Sequence, residues 1–245
     1  MTYCVGMLLD AGMVFLADSR TNAGVDQIST FRKVSTFENP GDRVMVLMSA
    51  GNLAISQSLV NVLREKIVES QAENLFTATN MFEAALHVGR VLREIHRRDA
   101  EALKEHNIEF NASLIFGGQI GREIPRLFSI YAAGNFIEAT ADTPYFQIGE
   151  SKYGKPILDR VVSRSTSLAQ AAKCALISMD STIRSNLSVG LPLDLLTVHR
   201  DALRVHSHLS INEDNDYFKM IRTRWSESLR HAFHELPDPE WIRRS

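Results

Sequence analysis

Two cysteines in 245 residues, Cys4 and Cys174, are too few for a disulfide framework. Both stand in apolar runs, which predicts reduced thiols inside a core. Charge of one sign is also missing. Lys and Arg number 27 against 29 Asp and Glu, a net charge of −2, so neither a nucleic acid nor an anionic membrane is implied as a partner. No apolar stretch approaches the roughly 20 residues that span a bilayer. The N-terminus lacks the basic region and cleavage site of a secretory signal, so the expected location is the cytoplasm. Metal chemistry has little to work with. His206-x-His208 and His231-x-x-His234 are the close histidine pairs, and no Asp, Glu or Cys cluster beside them completes a site. Gly117-Gly118-Gln119-Ile120-Gly121 is followed by neither GKS/T nor GxGxxG, and reads as a turn rather than a phosphate cradle. No cofactor is expected. Internal repeats and low-complexity linkers are absent.

What remains is an ordinary globular composition, 44% hydrophobic and 23% charged. Thr2–Leu9 and Met13–Ser19 read as buried strands joined by Asp10-Ala11-Gly12. Thr30–Glu38 and Arg43–Ser49 form a second pair around the turn Asn39-Pro40-Gly41-Asp42. Ile55, Leu59, Val62, Leu63 and Ile67 then fall at helical spacing, predicting a helix over Leu53–Ser70; a second covers Ala78–His106. Strands follow at Phe110–Gly117, Pro125–Ala133, Phe136–Thr140 and Tyr145–Gly149. A helix spans Ser167–Arg184, strands Asp194–His199 and Ala202–His208, and a last helix Tyr217–Phe233. Antiparallel strand blocks interrupted by helices predict a layered α+β fold. The domain is expected over residues 1–235, with a tail at 236–245 suited to subunit contacts.

Position 2 carries the first chemical signal. Initiator methionine is normally clipped before a small side chain, and clipping would give Thr2 a free α-amine beside its own hydroxyl. That unites a nucleophile and a base in one residue, since an α-amine titrates at roughly 7.7–8. Asp18 follows four apolar residues at a strand end. Lys33, by period-two alternation, shares a face with Phe31 and Phe37, so a desolvated ammonium there needs a carboxylate. Asp18 on an adjacent strand is the expected partner. Gly51 lies between a strand and a helix, where its bare N–H can meet an oxyanion.

Together, Thr2-Tyr3-Cys4-Val5-Gly6, Ala17-Asp18-Ser19-Arg20-Thr21-Asn22-Ala23-Gly24-Val25-Asp26, Ser29-Thr30-Phe31-Arg32-Lys33 and Ile148-Gly149-Glu150-Ser151-Lys152-Tyr153-Gly154-Lys155 resemble the proteasome-type N-terminal nucleophile hydrolases, in particular the bacterial ancestral β-subunit (Anbu) branch. The resemblance implies a four-layer αββα sandwich. It also implies a threonine-type peptidase or amide hydrolase: Thr2 as nucleophile and base, Lys33 lowering the proton affinity of its hydroxyl, Asp18 orienting Lys33, and the Gly51 N–H as oxyanion hole. A supporting Ser/Asp/Ser set is implied near Ser151 (or Glu150), Asp180, Ser185 and Ser188, although the family's Asp-x-x-Ser-Gly spacing is replaced by Ser185-Asn186-Leu187-Ser188-Val189-Gly190. Peptide or protein substrates, a homo-oligomer of about dodecamer size (ring or open spiral) and peptide-ligase-like partners are further implications. The rival reading is a proteasome-fold scaffold that binds a peptide or partner with little peptidase activity.

Overall fold

The computed structural model describes residues 2–22, 28–70 and 73–242. Met1, the stretch 23–27 (which holds part of the second matching segment) and residues 243–245 of the tail lie outside the described residues. In chain order the elements are β1 (Tyr3–Leu9), β2 (Gly12–Asp18), β3 (Arg20–Asn22), β4 (Ile28–Thr30), β5 (Val34–Asn39), β6 (Arg43–Gly51), α1 (Leu53–Val68), α2 (Met81–Glu105), β7 (Ala112–Ile120), β8 (Arg126–Ile130), β9 (Phe136–Glu138), β10 (Tyr145–Gly149), α3 (Lys155–Val161), α4 (Leu168–Ser185), β11 (Leu193–His199), β12 (Ser207–Ile211) and α5 (Asp216–Glu235).

β1 and β2 show no apolar–polar alternation because both of their faces are covered. Tyr3, Val5, Met7 and Leu9 pack with Ala175, Met179 and Phe218 of α4 and α5. Cys4, Leu8, Met13 and Phe15 point the other way, onto Val44, Val46 and Ile115 of the second sheet. That second sheet buries Met45, Leu47 and Phe116 under α1 and α2. The layers are therefore helices, sheet, sheet, helices: the αββα sandwich. One antiparallel sheet runs β10-β1-β2-β11-β12 and the other β5-β6-β7-β8-β9, with β3-β4 a separate ribbon. Helix starts are fixed by side-chain caps. Asn52 accepts from the Ala54 N–H and Asn80 from the Glu83 N–H, while Ser167 and Gln170 form a capping box. Among the described residues, no helix is long and apolar enough to cross a membrane.

Four expectations need correction. The strand expected over Thr30–Glu38 is broken: residues 31–33 belong to no strand, and β5 starts at Val34. The turn expected at Gly117–Gly121 is mostly strand. β7 runs to Ile120, paired with β6 from Gly51↔Ala112 to Arg43↔Ile120. Its glycines serve close packing, because a Cβ on Gly118 would meet the Val44 carbonyl at 2.2 Å. The last strand lies at Ser207–Ile211, not Ala202–His208; the chain first turns through Asp201 and Leu203, both at positive φ. Finally, α3 was not expected. Its seven residues are too few to establish a helical period, and only Pro156 in its first turn announces it.

Candidate active site

Asp18 ends β2 with no exposed surface, and Lys33 is 8% exposed. Lys33 Nζ donates to Asp18 Oδ1 at 2.7 Å and to the Arg20 carbonyl at 2.7 Å. The Tyr3 N–H donates to the same Oδ1 at 2.9 Å, and the Gly190 N–H to Oδ2 at 3.4 Å. A buried carboxylate needs such partners, since breaking a buried pair leaves an uncompensated charge. Burial pushes the Asp18 pKa above the usual carboxylate range, while the Lys33 charge and these donors pull it back. Asp18 thus holds both the lysine and the first peptide after Thr2.

The lysine reaches Asp18 by a different route from the one alternation suggests. Phe31 is exposed and Phe37 packs in the helix-side core, so Lys33 shares no face with the pair. Nor are the two residues on adjacent strands of one sheet. Lys33 sits just before the edge strand β5, and Asp18 ends a strand of the facing sheet. The ion pair crosses the mouth of the sandwich.

Thr2 is buried beside it. Its carbonyl accepts from the Glu150 N–H at 2.7 Å. Gly149 makes that approach feasible: its φ is +81°, and a Cβ there would lie 1.9 Å from the Thr2 carbonyl oxygen. Thr2, Lys33 and Gly51 line one cleft of about 340 Å³, with Thr21, Ser49 and Asn111 on its walls. At Gly51 φ is +112°, and a Cβ would meet the Asn111 carbonyl at 2.4 Å. Only glycine therefore brings bare backbone to this wall. The Thr21 hydroxyl is buried without a partner among the described residues.

The proposed supporting serines are not part of the cleft lining. Ser151 offers its carbonyl to the Lys155 N–H. Ser185 is exposed at the end of α4, and the Ser188 N–H donates to Asn186 Oδ1. Asp180 is buried in a separate ion-pair cluster with Arg184 and Arg222, at 2.9 and 3.0 Å. Glu150 comes nearer, through its N–H on the Thr2 carbonyl, and accepts from Asn186 Nδ2 at 3.1 Å. Sequence reasoning missed Gly149, Thr21 and the Arg20 carbonyl. A glycine closing β10 was a visible signal for the first; a backbone carbonyl leaves none.

Competing nucleophiles and ligands are poorly placed. Burial raises the pKa of the Cys4 thiol and pushes that of Cys174 up to about 11, which keeps both neutral and inert. His208 pairs with Asp194 at 3.2 Å, and His206 stacks on His199 at 4.0 Å between ring centroids. Among the described residues, no group of three or more His, Cys, Asp or Glu could hold a metal ion.

Comparison with known proteins shows the family. The family described as "Proteasome subunit" matches residues 2–197. An Anbu structure from Yersinia bercovieri is 54% identical, with 97% of this chain and 98% of that one covered and a TM-score of 0.91. The Gly-1 mutant of Anbu from Hyphomicrobium sp. strain MC1 is 50% identical over 98% and 99% of the two chains, with a TM-score of 0.91. A structure titled as the helical assembly of the Anbu complex from Pseudomonas aeruginosa is 50% identical over 97% and 98%, with a TM-score of 0.92. No curated protein matches the chain.

Proposed function

The chain belongs to the proteasome subunit family, in its Anbu branch, and from that premise we propose that it is an N-terminal threonine peptidase or amide hydrolase. In this reading Met1 is removed and the α-amine of Thr2 becomes free. The Thr2 hydroxyl attacks a substrate carbonyl while its proton passes to that amine, directly or through a water. Lys33 stabilises the developing alkoxide by its charge, and Asp18 fixes Lys33 in place. The Gly51 N–H receives the oxyanion. The tetrahedral intermediate expels the substrate amine, which takes the proton and leaves an ester on Thr2. Water then hydrolyses the ester and restores the hydroxyl.

The single observation that carries this proposal is the joint placement of Thr2, Gly51 and the buried Lys33–Asp18 pair at one cleft. The pair carries a desolvation cost, and it stands beside the buried threonine whose hydroxyl its lysine would activate. The absence of Ser151, Ser185 and Ser188 from the cleft lining favours the rival scaffold reading, and one experiment separates the two. Purified protein is treated briefly with an epoxyketone or β-lactone, and its intact mass is compared with that of Thr2→Ala. Loss of Met1 and one adduct mapping to Thr2 are expected. Clipped, folded protein that takes no adduct would favour the scaffold.

By likeness to the helical assembly titled for the Pseudomonas aeruginosa relative, the working form is a homo-oligomer, ring or spiral, that shelters these clefts. A peptide-ligase-like partner would act on the same substrates or products. The cytoplasm fits such a peptidase.

A further inference from the structure

The Thr2 cleft does not stop at Lys33. Lys33, Ser49, Leu53 and Ser56 also form one end of a second, larger hollow of about 580 Å³. One wall of that hollow is a single stripe of α1: Leu53, Ser56, Gln57, Val60, Asn61 and Arg64. These positions recur at helical spacing, so they lie along one face. From Leu53 to Arg64 the stripe covers about 16 Å at 1.5 Å per residue. An extended peptide of about five residues spans the same distance. The lining also includes Arg32, just before β5, and Ser35 and Thr36 near its start.

Among the described residues, the full charges lining this groove have one sign. Arg32 and Arg64 line it and are exposed. Neither makes an ion pair among the described residues. Its other cation, Lys33, is engaged by Asp18, and the His208 ring lies 3.2 Å from Asp194. Among the described residues, no Asp or Glu lines the groove. Asp194, the partner of His208, is nearly buried and accepts from the Ser19 hydroxyl at 3.0 Å. Two exposed guanidiniums without ion pairs among the described residues, both lining a groove long enough for about five extended residues, match carboxylates on an extended chain. The remaining lining, mostly hydroxyls and amides, gives a basic or strongly apolar chain little to hold.

We infer that this groove binds an extended peptide rich in Asp and Glu, and that Arg32 and Arg64 set that preference for the Thr2 site. The inference rests on the peptidase reading above for its consequence in catalysis, but the binding itself does not require turnover.

The test uses full-length Thr2→Ala protein and fluorescence anisotropy. Three fluorescein-labelled hexapeptides differ only at two side chains, which are both Glu, both Gln or both Lys. The Glu peptide should bind about tenfold more tightly than the Gln peptide, in line with two charge-assisted contacts, and the Lys peptide most weakly. Raising salt to about 1 M, where the screening length falls to about 3 Å, should erase most of the gap. Because both arginines are exposed, Arg32→Gln with Arg64→Gln should remain folded and lose the Glu preference. Equal affinities for the three peptides, no binding of any, or a Glu preference that survives in the double variant would each overturn the inference. The catalytic reading fails separately. Clipped protein with native Thr2 that takes no β-lactone adduct, while Thr2→Ala still prefers the Glu peptide, would leave an acidic-peptide groove without a peptidase.

Discussion

Lys33 and Asp18 each depend on the other for a tolerable burial. Removing the lysine as Lys33→Ala leaves Asp18 with two backbone N–H donors and no counter-charge, a loss on the order of 3–5 kcal/mol for a broken buried pair. Protonation limits that loss. The native pKa of Asp18 is already raised by burial, and loss of Lys33 raises it further. Between the unfolded value and that raised value, the folded state holds the extra proton. Stability of Lys33→Ala is therefore greater at low pH and is lost as pH rises through the raised pKa. Thermal unfolding of wild type and Lys33→Ala at about pH 5 and about pH 8 checks the sign; at these pH values an ordinary exposed carboxylate is ionised throughout. The deficit should be larger at the higher pH, and an equal deficit at both would contradict it. The double variant Lys33→Ala/Asp18→Asn should recover much of the stability yet remain unreactive toward a β-lactone. That a buried lysine here needs a carboxylate was legible, although the face shared with Phe31 and Phe37 that suggested the burial does not exist. The route was not, since alternation assumes a continuous strand and the chain leaves the strand at residues 31–33.

Elements decide where Thr2 stands. β1 is flanked by β10 and β2, and the register pairs Tyr3 with Gly149. The end of β10 therefore meets the residue before β1. Gly149→Ala would place a Cβ 1.9 Å from the Thr2 carbonyl and force an L side chain to φ +81°. The chain can relieve that clash only by separating Thr2 from the Glu150 N–H. The variant should lose roughly 1–3 kcal/mol and most of its reactivity toward a Thr2-directed β-lactone, read by intact mass and thermal unfolding. Wild-type adduct yield would show that this contact does not position Thr2. Most elements could be read from periodicity and turn residues, including both long helices and the hairpin of β1 and β2. Those that escaped are ones where tertiary contact overrides local pattern. Gly117 and Gly118 look like a turn until β6 is laid against them. Gln119 looks like a loop amide until its partners appear: it donates to Asp201 Oδ1 at 2.7 Å and to the Glu123 carbonyl at 2.9 Å, and accepts from the Asp201 N–H at 2.8 Å.

At the scale of the whole molecule, the cleft opens at the end of the sandwich where β2 and β6 finish, and the tail leaves from the outer helix α5. A face of α5 and the tail is unusually apolar for exposed surface: Leu229 at 52%, Phe233 at 72%, Leu236 at 70% and Trp241 at 65%. Large side chains this exposed, and this close in sequence, mark an interaction surface more often than a bare one. The proposed homo-oligomer supplies an occupant in a second copy of the chain. Because these side chains contribute little to the chain's own core, their removal should cost assembly rather than folding. Truncation after Glu235 should leave the thermal midpoint nearly unchanged. It should also lower the solution mass toward that of a single chain or a small oligomer, as read by light scattering after size exclusion. A truncated protein that keeps its full assembly would place the subunit contacts elsewhere. One that unfolds would mean the tail completes the fold. Assembly was the part least legible in the sequence, because an apolar residue written in a helix looks the same whether its own core or a neighbour covers it.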